Sequence, residues 1–402
     1  MFITEKLKDK RILVWGYGRE GKSTENFIKK FCEVKDLVIF EGKQDEIDES
    51  RYDYIIKSPG IVAQHYNEKY TSQTELFLEE FGSQTIGVTG TKGKSTTASL
   101  LYSVLSDCLE ERVLLVGNIG YPCLDYYEEI DRNSVVVFEM SCHQLSNLRV
   151  SPHIAVFLNL YEEHLDYYGT FEKYFAAKKN ITLNQGQGDF FFCGDEVPEF
   201  ETRARKKIIF FDKNKNPEAP VDFDMQLKGT HNQYNARFVY EICRDIFAVD
   251  DEKIRKSIKE FQGLKHRLEF VGNIGGIDFY DDSISTIPEA SIQALSSIKN
   301  AATLLIGGMD RHIHYELLVD FIKKHSGYNY IMAYESGKRI FDEVKNLPYC
   351  HYVEDLKGQV ELAKKITPEG GACILSPAAP SYGYFKNFEE RGDCFAELAR
   401  LS

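Results

Sequence analysis

Short apolar runs alternate with stretches of helical spacing along most of the chain. Runs such as 11–15, 86–88 and 134–138 are apolar apart from Arg11 and Ser134 at their starts, which is typical of strands buried on both faces of a parallel sheet. After run 86–88, the residues Leu100, Leu101, Val104 and Leu105 recur at the spacing of a helix face. Strands that alternate with helices predict an α/β protein with parallel sheets, here as three successive α/β units.

A turn rich in glycine and lysine follows run 86–88. Residues 89–96 read T-G-T-K-G-K-S-T, and the helical pattern begins directly after them. Glycines let successive backbone N–H groups point at one anion, and the helix adds its positive end. We expect Lys94 to hold the β- and γ-phosphates of a nucleotide, and Ser95 or Thr96 to offer a hydroxyl to Mg²⁺.

A second glycine turn lies near the N-terminus. Run 11–15 leads into G-Y-G-R-E-G at 16–21, and the next apolar run ends at Glu41. By pattern this is a dinucleotide-binding fingerprint, although the same turn can hold any nucleotide diphosphate.

Residues 58–60 read S-P-G after another apolar run. They predict either backbone N–H donors at the same sheet edge or a plain turn. Residues 62–82 are polar, and we expect them to link two domains.

Acidic and imidazole side chains follow two later apolar runs. Run 134–138 ends at Glu139, and run 153–160 is followed by Glu162, Glu163 and His164. A strand that delivers a carboxylate beside a phosphate loop is a common way to hold Mg²⁺. We therefore favour a metal or phosphate site here over a solvated sheet edge.

The bulk composition is that of an ordinary globular protein. The 402 residues carry a net charge of -13, and no apolar stretch approaches the length needed to span a bilayer. The N-terminal segment has no apolar core of the kind found in signal peptides. The nine cysteines form no C-x-x-C pair and predict reduced thiols. We expect a cytoplasmic protein, a monomer, that binds neither nucleic acid nor membrane.

These segments together resemble the Mur ligase family, the ATP-dependent amino-acid ligases of peptidoglycan synthesis. The resemblance covers the whole chain, and its last segment is the most specific to the glutamate-adding branch. Its segments are G-x-G-x-x-G at 16–21, SPGI at 58–61, TGTKGKSTT at 89–97, GNIG at 117–120, E-x-S-x-x-Q-L at 139–145, NLYEEHLD at 159–166, AAK at 176–178, GTHNQYNA at 229–236, KHRLE at 265–269, DDS at 281–283, GG at 307–308 and SPAAPSYGYFKNFEERG at 376–392.

The resemblance implies three domains. They are a Rossmann-like domain for UDP (1–82), a central domain of the P-loop type with a parallel sheet for ATP and Mg²⁺ (83–264), and a C-terminal Rossmann-like domain for the amino acid (265–402).

Roles for single residues follow from the resemblance, position by position. Catalysis is implied for Lys94, Glu139, His164 and Lys178. ATP binding is implied for Gly90, Thr91, Lys92, Gly93, Lys94, Ser95, Thr96, Asn235, Arg267 and Asp282. Substrate binding is implied for Gly16, Tyr17, Gly18, Ser58, Pro59, Gly60, Asn118, Arg311, Ser381 and Phe388. The implied ligands of two Mg²⁺ ions are Ser95, Glu139, His164 and Lys178, the last as a carbamate.

The implied reaction adds D-glutamate to UDP-N-acetylmuramoyl-L-alanine through an acyl phosphate made from ATP. The chain departs from the family pattern D-S-K-A-T-N, since residues 282–287 read D-S-I-S-T-I and place Ile284 and Ile287 where lysine and asparagine are usual. Arg311 stands where lysine is common, and can still grip a carboxylate. A ligase that adds L-glutamate to the same acceptor is therefore the alternative.

Two other classes of protein compete with this interpretation. A nicotinamide-dependent dehydrogenase would explain residues 16–21 and Glu41 but nothing after residue 82. A non-catalytic nucleotide-binding module is disfavoured by the intact set of implied metal ligands.

Overall fold

The computed structural model describes residues 2–117, 122–212, 215, 222–227, 229–263, 265–286, 288–310 and 315–401. In these ranges, strands and helices alternate and form three sheets that are parallel apart from one hairpin. The predicted α/β class with parallel sheets is confirmed. No helix among the described residues is both long and apolar enough to cross a membrane.

The first sheet has the strand order β2-β1-β3-β4, and its paired strands are parallel. Its strands are β1 (Arg11–Trp15), β2 (Asp36–Phe40), β3 (Tyr54–Lys57) and β4 (Tyr70–Thr71). Its helices are α1 (Phe2–Leu7), α2 (Arg19–Phe31) and α3 (Gln73–Phe81). The 11–15 run is thus a strand, and the helix predicted after the glycine turn is present.

The expectation that residues 62–82 form a linker is wrong. Strand β4 extends the first sheet, and Leu76, Phe77 and Leu78 of α3 are buried in an apolar core. That core also contains Phe138 of the central sheet, whose ring lies 5.6 Å from the ring of Phe77, edge to face. A helix needs only one stripe of apolar residues to pack against a core, so a segment with many glutamates can still be a buried helix.

The central sheet is parallel, with the strand order β10-β9-β8-β5-β7-β6. Its strands are β5 (Thr85–Thr89), β6 (Val113–Gly117), β7 (Val135–Glu139), β8 (Ile154–Phe157), β9 (Phe190–Gly194) and β10 (Arg205–Ile209). Its helices are α4 (Lys94–Cys108), α5 (Cys142–Leu145), α6 (Leu165–Tyr168), α7 (Phe171–Leu183), α8 (Thr230–Asp245) and α9 (Asp251–Glu260). Strand β5 lies between β7 and β8, so the carboxyl ends of these three strands meet at one edge.

The third sheet has the order β11-β12-β16-β13-β14-β15, with β11 and β12 as an antiparallel hairpin. Its strands are β11 (Glu269–Ile274), β12 (Ile277–Asp281), β13 (Ala301–Ile306), β14 (Asn329–Met332), β15 (Cys350–Tyr352) and β16 (Ala372–Leu375). Its helices are α10 (Pro288–Ser297), α11 (Glu316–Lys324), α12 (Tyr334–Val344), α13 (Leu356–Ile366) and α14 (Phe388–Arg400).

The chain divides into two compact units, residues 1–261 and 262–402. The first unit contains the first and central sheets, which share the apolar core described above. The second contains the third sheet. The finer division into domains at residues 82 and 264 stays a prediction. All nine cysteines are free thiols, as expected.

Candidate active site

The loop between β5 and α4 is held in a curled shape by glycines and by Asn159. Gly93 has a φ of +84°, in the left-handed region that favours glycine. A Cβ atom there would lie 2.7 Å from Oδ1 of Asn235, so Asn235 packs directly on the loop. Asn159 Oδ1 accepts from the Lys92 backbone N–H at 2.9 Å, and its Nδ2 donates to the Lys92 carbonyl oxygen at 3.0 Å. The loop is therefore fixed from both sides.

Lys94 lies over the curled backbone of this loop. Its Nζ donates to the carbonyl oxygens of Gly90 and Thr91, each at 3.0 Å. Burial lowers the pKa of Lys94, and the negative charges of Glu139 and Glu163 oppose that shift. The two carboxylates therefore lie close enough to act on the Lys94 ammonium. A cation shielded from water interacts more strongly with a phosphate than an exposed one does.

Glu139 ends strand β7 beside the loop. It pairs in register with Val88 of β5 and with Gly117 of β6, so it stands at the carboxyl edge of the sheet. The side chain of Glu139 is buried, and Ser95 at the start of α4 is buried as well. The predicted substrate residue Asn118 follows β6 directly and lies outside the described residues.

Lys178 reaches the same edge from α7 and is almost completely buried. Its Nζ donates to the Gly90 carbonyl oxygen at 2.7 Å and lies 5.0 Å from the centre of the Tyr174 ring. Burial, reinforced by the positive charge of Lys94, lowers the pKa of Lys178 to about 7. A substantial share of this amine is therefore neutral near pH 7, which is unusual for a lysine.

His164 is the residue immediately before the short helix α6, and it lies at the edge of the cluster around Lys94 and Lys178. Its backbone is left-handed, with a φ of +56°, and its ring centre lies 5.0 Å from that of His143 and 6.1 Å from that of Tyr174. The neighbouring Glu163 accepts from Lys92 Nζ at 2.8 Å. His164 is half exposed, so a ligand can reach it.

The N-terminal glycine turn meets the Ser58–Gly60 segment. Gly16 has a φ of +92°, and a Cβ atom there would lie 2.6 Å from Cδ1 of Ile61 and 2.9 Å from Cβ of Ser58. The Ser58 hydroxyl donates to the Gly16 carbonyl oxygen at 3.0 Å. Tyr167 of α6 donates from its hydroxyl to the Ile61 carbonyl oxygen at 3.1 Å. The predicted substrate segments therefore lie together, and α6 connects them to His164.

In residues 262–402, a second group forms around Asp282. Burial raises the pKa of Asp282 to about 6, although it accepts from Ser376 Oγ at 2.7 Å and feels the charge of Arg267. Phe388 lies nearby, since its carbonyl oxygen accepts from the Ser283 hydroxyl at 2.8 Å. Arg267 is exposed and Asp282 is buried, and the positive charge of Arg267 opposes the rise in the pKa of Asp282.

Ser381 is buried in the segment that precedes α14, and its carbonyl oxygen accepts from the Phe385 backbone N–H at 3.0 Å. Arg391 anchors this segment: its Nη1 donates to the Ala379 carbonyl oxygen at 3.0 Å and its Nη2 to that of Ser283 at 2.8 Å. Sequence reasoning quoted Arg391 inside a motif but gave it no role. The predicted substrate residue Arg311 lies outside the described residues.

Similarity to known proteins extends over most of the chain. Residues 88–220 match the family model of the Mur ligase middle domain. The UDP-N-acetylmuramoylalanine–D-glutamate ligase of Aquifex aeolicus is 31% identical to the chain over 97% of the chain and 99% of that protein. The chain belongs to the Mur ligase family. Four further relatives at 29–30% identity carry the same D-glutamate name.

Other members of the Mur ligase family are more distant or differ in name. A UDP-N-acetylmuramoyl-L-alanine–L-glutamate ligase of Salinispora tropica is 29% identical over 98% of both chains. The crystal structure of UDP-N-acetylmuramate-alanine ligase from Thermotoga maritima has a TM-score of 0.56 at 17% identity, and covers 96% of this chain and 98% of that one. At that identity the structural likeness concerns the fold.

Asn159 and Glu163 also belong to this site, although the motifs imply no individual role for either residue. Asn159 holds the loop through both its side-chain NH₂ group and its side-chain oxygen. The negative charge of Glu163 acts to raise the pKa values of Lys94 and Lys178. The sequence places Glu163 in the acidic and imidazole cluster predicted to bind metal or phosphate, and Asn159 at the end of the apolar run before it. The geometry adds that the amide of Asn159 holds protein backbone.

Proposed function

We propose that this chain joins D-glutamate to UDP-N-acetylmuramoyl-L-alanine while ATP is cleaved to ADP and phosphate. The observation that carries the proposal is the convergence of Lys94, Lys178 and Glu139 on the glycine loop at one sheet edge, in a chain whose first five matched relatives carry this activity in their names. A loop of this kind binds a nucleotide polyphosphate, and the acidic and basic groups beside it act on its terminal phosphate.

ATP is proposed to bind with its β- and γ-phosphates on the loop residues Gly90–Thr96. Lys94 now donates to two loop carbonyl oxygens at 3.0 Å, and it would exchange these partners for phosphate oxygens. Asn235, which packs against Gly93, is proposed to contact the nucleotide beyond the phosphates. Arg267 and Asp282 are also proposed to bind ATP, as the resemblance implies.

The donor atoms at this edge suit Mg²⁺. A buried carboxylate (Glu139) and a hydroxyl at the start of a helix (Ser95) are hard oxygen ligands of the kind that Mg²⁺ prefers, and His164 completes the proposed set. Mg²⁺ bound there supplies charge neutralisation on the phosphoryl oxygens. A protonated Lys178 does not fit a cation site, because its ammonium repels a metal ion.

Carbamylation would replace the positive charge of Lys178 with a negative one and so make it compatible with a cation site. The neutral amine attacks CO₂, a C–N bond forms, and one proton leaves to solvent, so the product is an anionic N-carboxylysine. The step is favoured by the burial of Lys178, by the depressed pKa of its amine and by the adjacent charge of Lys94. The resulting carboxylate is an oxygen ligand, and we propose that it serves a second Mg²⁺ ion.

The acceptor is proposed to bind at the paired turns of the first sheet. Gly16, Tyr17 and Gly18 would hold its UDP diphosphate, and residues 58–60 would hold the adjoining sugar. Residue 118 is also assigned to the acceptor by the resemblance. In the C-terminal unit, Ser381, Phe388 and residue 311 are proposed to bind glutamate.

The chemistry needs activation, because a carboxylate does not condense with an amine in water. The acceptor carboxylate attacks the γ-phosphorus, the bond to ADP breaks, and an acyl phosphate forms. The glutamate amine then attacks the carbonyl carbon, loses a proton, and phosphate leaves. Lys94 stabilises the charge that builds on the transferred phosphoryl group. Exclusion of water protects the acyl phosphate until the amine attacks.

Phosphate release tests the proposal. Purified protein with ATP, Mg²⁺ and UDP-N-acetylmuramoyl-L-alanine is expected to release phosphate with D-glutamate and to form an equal amount of peptide-bonded product. Equal or greater turnover with L-glutamate would reject the D-specific assignment. No phosphate release with either enantiomer would reject the ligase itself.

A further inference from the structure

Glu20 lies in the N-terminal glycine turn and is not used by the reaction described above. It is the second residue of α2, and its backbone carbonyl oxygen accepts from Gln73 Nε2 at 3.2 Å. Its side chain points into the protein, where Oε1 accepts from Nε2 of Gln144 at 2.7 Å. This hydrogen bond joins the first sheet's glycine turn to the segment after β7, within residues 1–261.

Gln144 belongs to the segment that carries Glu139. Its own Oε1 accepts from the Ser141 backbone N–H at 2.8 Å, and its backbone N–H donates to Ser141 Oγ at 3.2 Å, which together cap α5. The Met140 backbone N–H donates to the Val88 carbonyl oxygen of β5 at 2.9 Å. The side-chain oxygen and the backbone N–H of Gln144 therefore form hydrogen bonds within the segment. The side-chain NH₂ group of Gln144 is the group that donates to Glu20.

The second carboxylate oxygen of Glu20, Oε2, is buried and has no hydrogen-bond partner in the part of the chain that the structure describes. Burial raises the pKa of Glu20 to about 7, while Gln144, Lys57 of β3 and Arg19 of α2 act in the opposite direction. Cys123, in the segment before β7, also faces this charge. A half-paired buried carboxyl group costs free energy, so a gain in stability does not explain its presence.

We propose that Glu20 is a positioning residue: through Gln144 it fixes the glycine turn 16–21 to the segment 139–145, and so aligns the acceptor with the phosphate-binding loop. The inference rests on the proposed function, which places the acceptor at the turn and the nucleotide at the loop. Glu20 itself touches neither substrate; it sets the orientation of the backbone that does.

The test compares Glu20→Ala, Glu20→Gln and Ser23→Ala. Ser23 is the matched control, because it lies on the same helix, its hydroxyl donates to Asp125 at 2.6 Å and accepts from Gln73 Nε2 at 3.0 Å, and neither partner belongs to residues 139–145. Glu20→Gln keeps a carbonyl oxygen for Gln144, whereas Glu20→Ala leaves the Gln144 amide without this partner. Each variant is measured by calorimetric binding of UDP-N-acetylmuramoyl-L-alanine, by steady-state kinetics and by thermal unfolding.

Glu20→Ala is expected to weaken acceptor binding and raise the acceptor KM by about tenfold, which corresponds to the loss of a hydrogen bond to a charged group. The ATP KM is expected to change less than about twofold, and Glu20→Gln to restore acceptor binding. An equal change in both KM values, a Ser23→Ala effect matching that of Glu20→Ala, or unchanged acceptor binding in Glu20→Ala would overturn the inference. If the wild-type protein itself does not bind the acceptor, the proposed function fails instead.

Discussion

Residues 1–261 contain two glycine turns that are built by the same means and surrounded by different charged groups. Each follows a buried strand and opens a helix: 16–21 between β1 and α2, and 90–93 between β5 and α4. Each contains a glycine in the left-handed region and is held by a polar side chain from a neighbouring strand end, Ser58 in the first case and Asn159 in the second.

The difference lies in what surrounds each turn. The second has two buried lysines, Lys94 and Lys178, whose Nζ atoms donate to its own carbonyl oxygens. The first has the carboxyl group of Glu20 and one buried lysine, Lys57, whose Nζ donates to the carbonyl oxygens of Ser58 and Ile61 and to none in the turn itself among the described residues. A glycine turn therefore supplies N–H donors for any diphosphate, whereas transfer of a phosphoryl group also requires cations that lie over the phosphate-binding backbone.

The largest effect is expected for Lys94→Ala. Lys94 is the cation proposed to face the transferred phosphoryl group, so its loss should lower kcat by about 10³-fold. Lys22→Ala removes a lysine from the first turn of α2, at the other glycine turn, and should change kcat by less than about threefold. Steady-state phosphate release measures both, and comparable losses in the two variants would contradict the contrast between the turns.

Lys178→Ala should lower kcat by about 10²-fold, since it removes a proposed anionic ligand from the edge of the sheet. A short carboxylate such as acetate or formate should restore part of the activity by occupying the vacated space. Lys179→Ala is the matched control, because Lys179 Nζ lies over the rings of Phe175 and Phe200 instead of at the loop. Full activity of Lys178→Ala, or rescue that is equal in the Lys179 variant, would remove this role.

A pair of smaller effects separates the two sites. Asn159→Ala deletes two hydrogen bonds to the Lys92 backbone and should raise the ATP KM by about tenfold with the acceptor KM nearly unchanged. Ser58→Ala deletes one hydrogen bond to the Gly16 carbonyl oxygen and should raise the acceptor KM by about threefold, with the ATP KM nearly unchanged. If either variant affects both KM values equally, the two turns are not separate binding sites.

The smallest effect concerns stability. The folded protein raises the pKa of Glu20 above that of an unfolded glutamate, so its contribution to stability is present below about pH 4 and is lost as pH rises through about 7. Glu20→Gln should therefore match the wild type in free energy of unfolding near pH 4 and exceed it by about 1 kcal/mol at pH 8. Denaturant unfolding at the two pH values measures this, and a variant less stable at pH 8 would reject a costly buried carboxyl group.

Much of the fold followed from the sequence because the strands are short, continuous apolar runs. Run 11–15 is a strand with those bounds, and Glu139 and Asn235 lie beside the glycine loop. Such features depend on local pattern and on the rule that parallel strands end at one edge. The wrong prediction of a linker at 62–82 shows where local pattern fails. The short strand β4 and the glutamate-rich helix α3 are stabilised by the core they contact, which the local sequence does not reveal.

Side-chain partners across the sheets could not be predicted. The bond from Gln144 to Glu20 spans 124 positions of the chain, and the Arg391 side chain reaches back to Ser283 over 108 positions. Burial of Lys178 is likewise a property of the packed structure, since the sequence places it between an alanine and a second lysine on an ordinary helix. Such contacts depend on tertiary packing, for which a linear motif holds no signal.

The measurement that tests the account most directly is the fate of oxygen in the acceptor carboxylate. UDP-N-acetylmuramoyl-L-alanine labelled with ¹⁸O in its terminal carboxylate, turned over with ATP and D-glutamate, is expected to transfer one labelled oxygen to the released phosphate, because that oxygen attacks the γ-phosphorus. Mass spectrometry of the phosphate gives the answer. Phosphate free of ¹⁸O, with product formed, would contradict activation of the acceptor by ATP at the glycine loop.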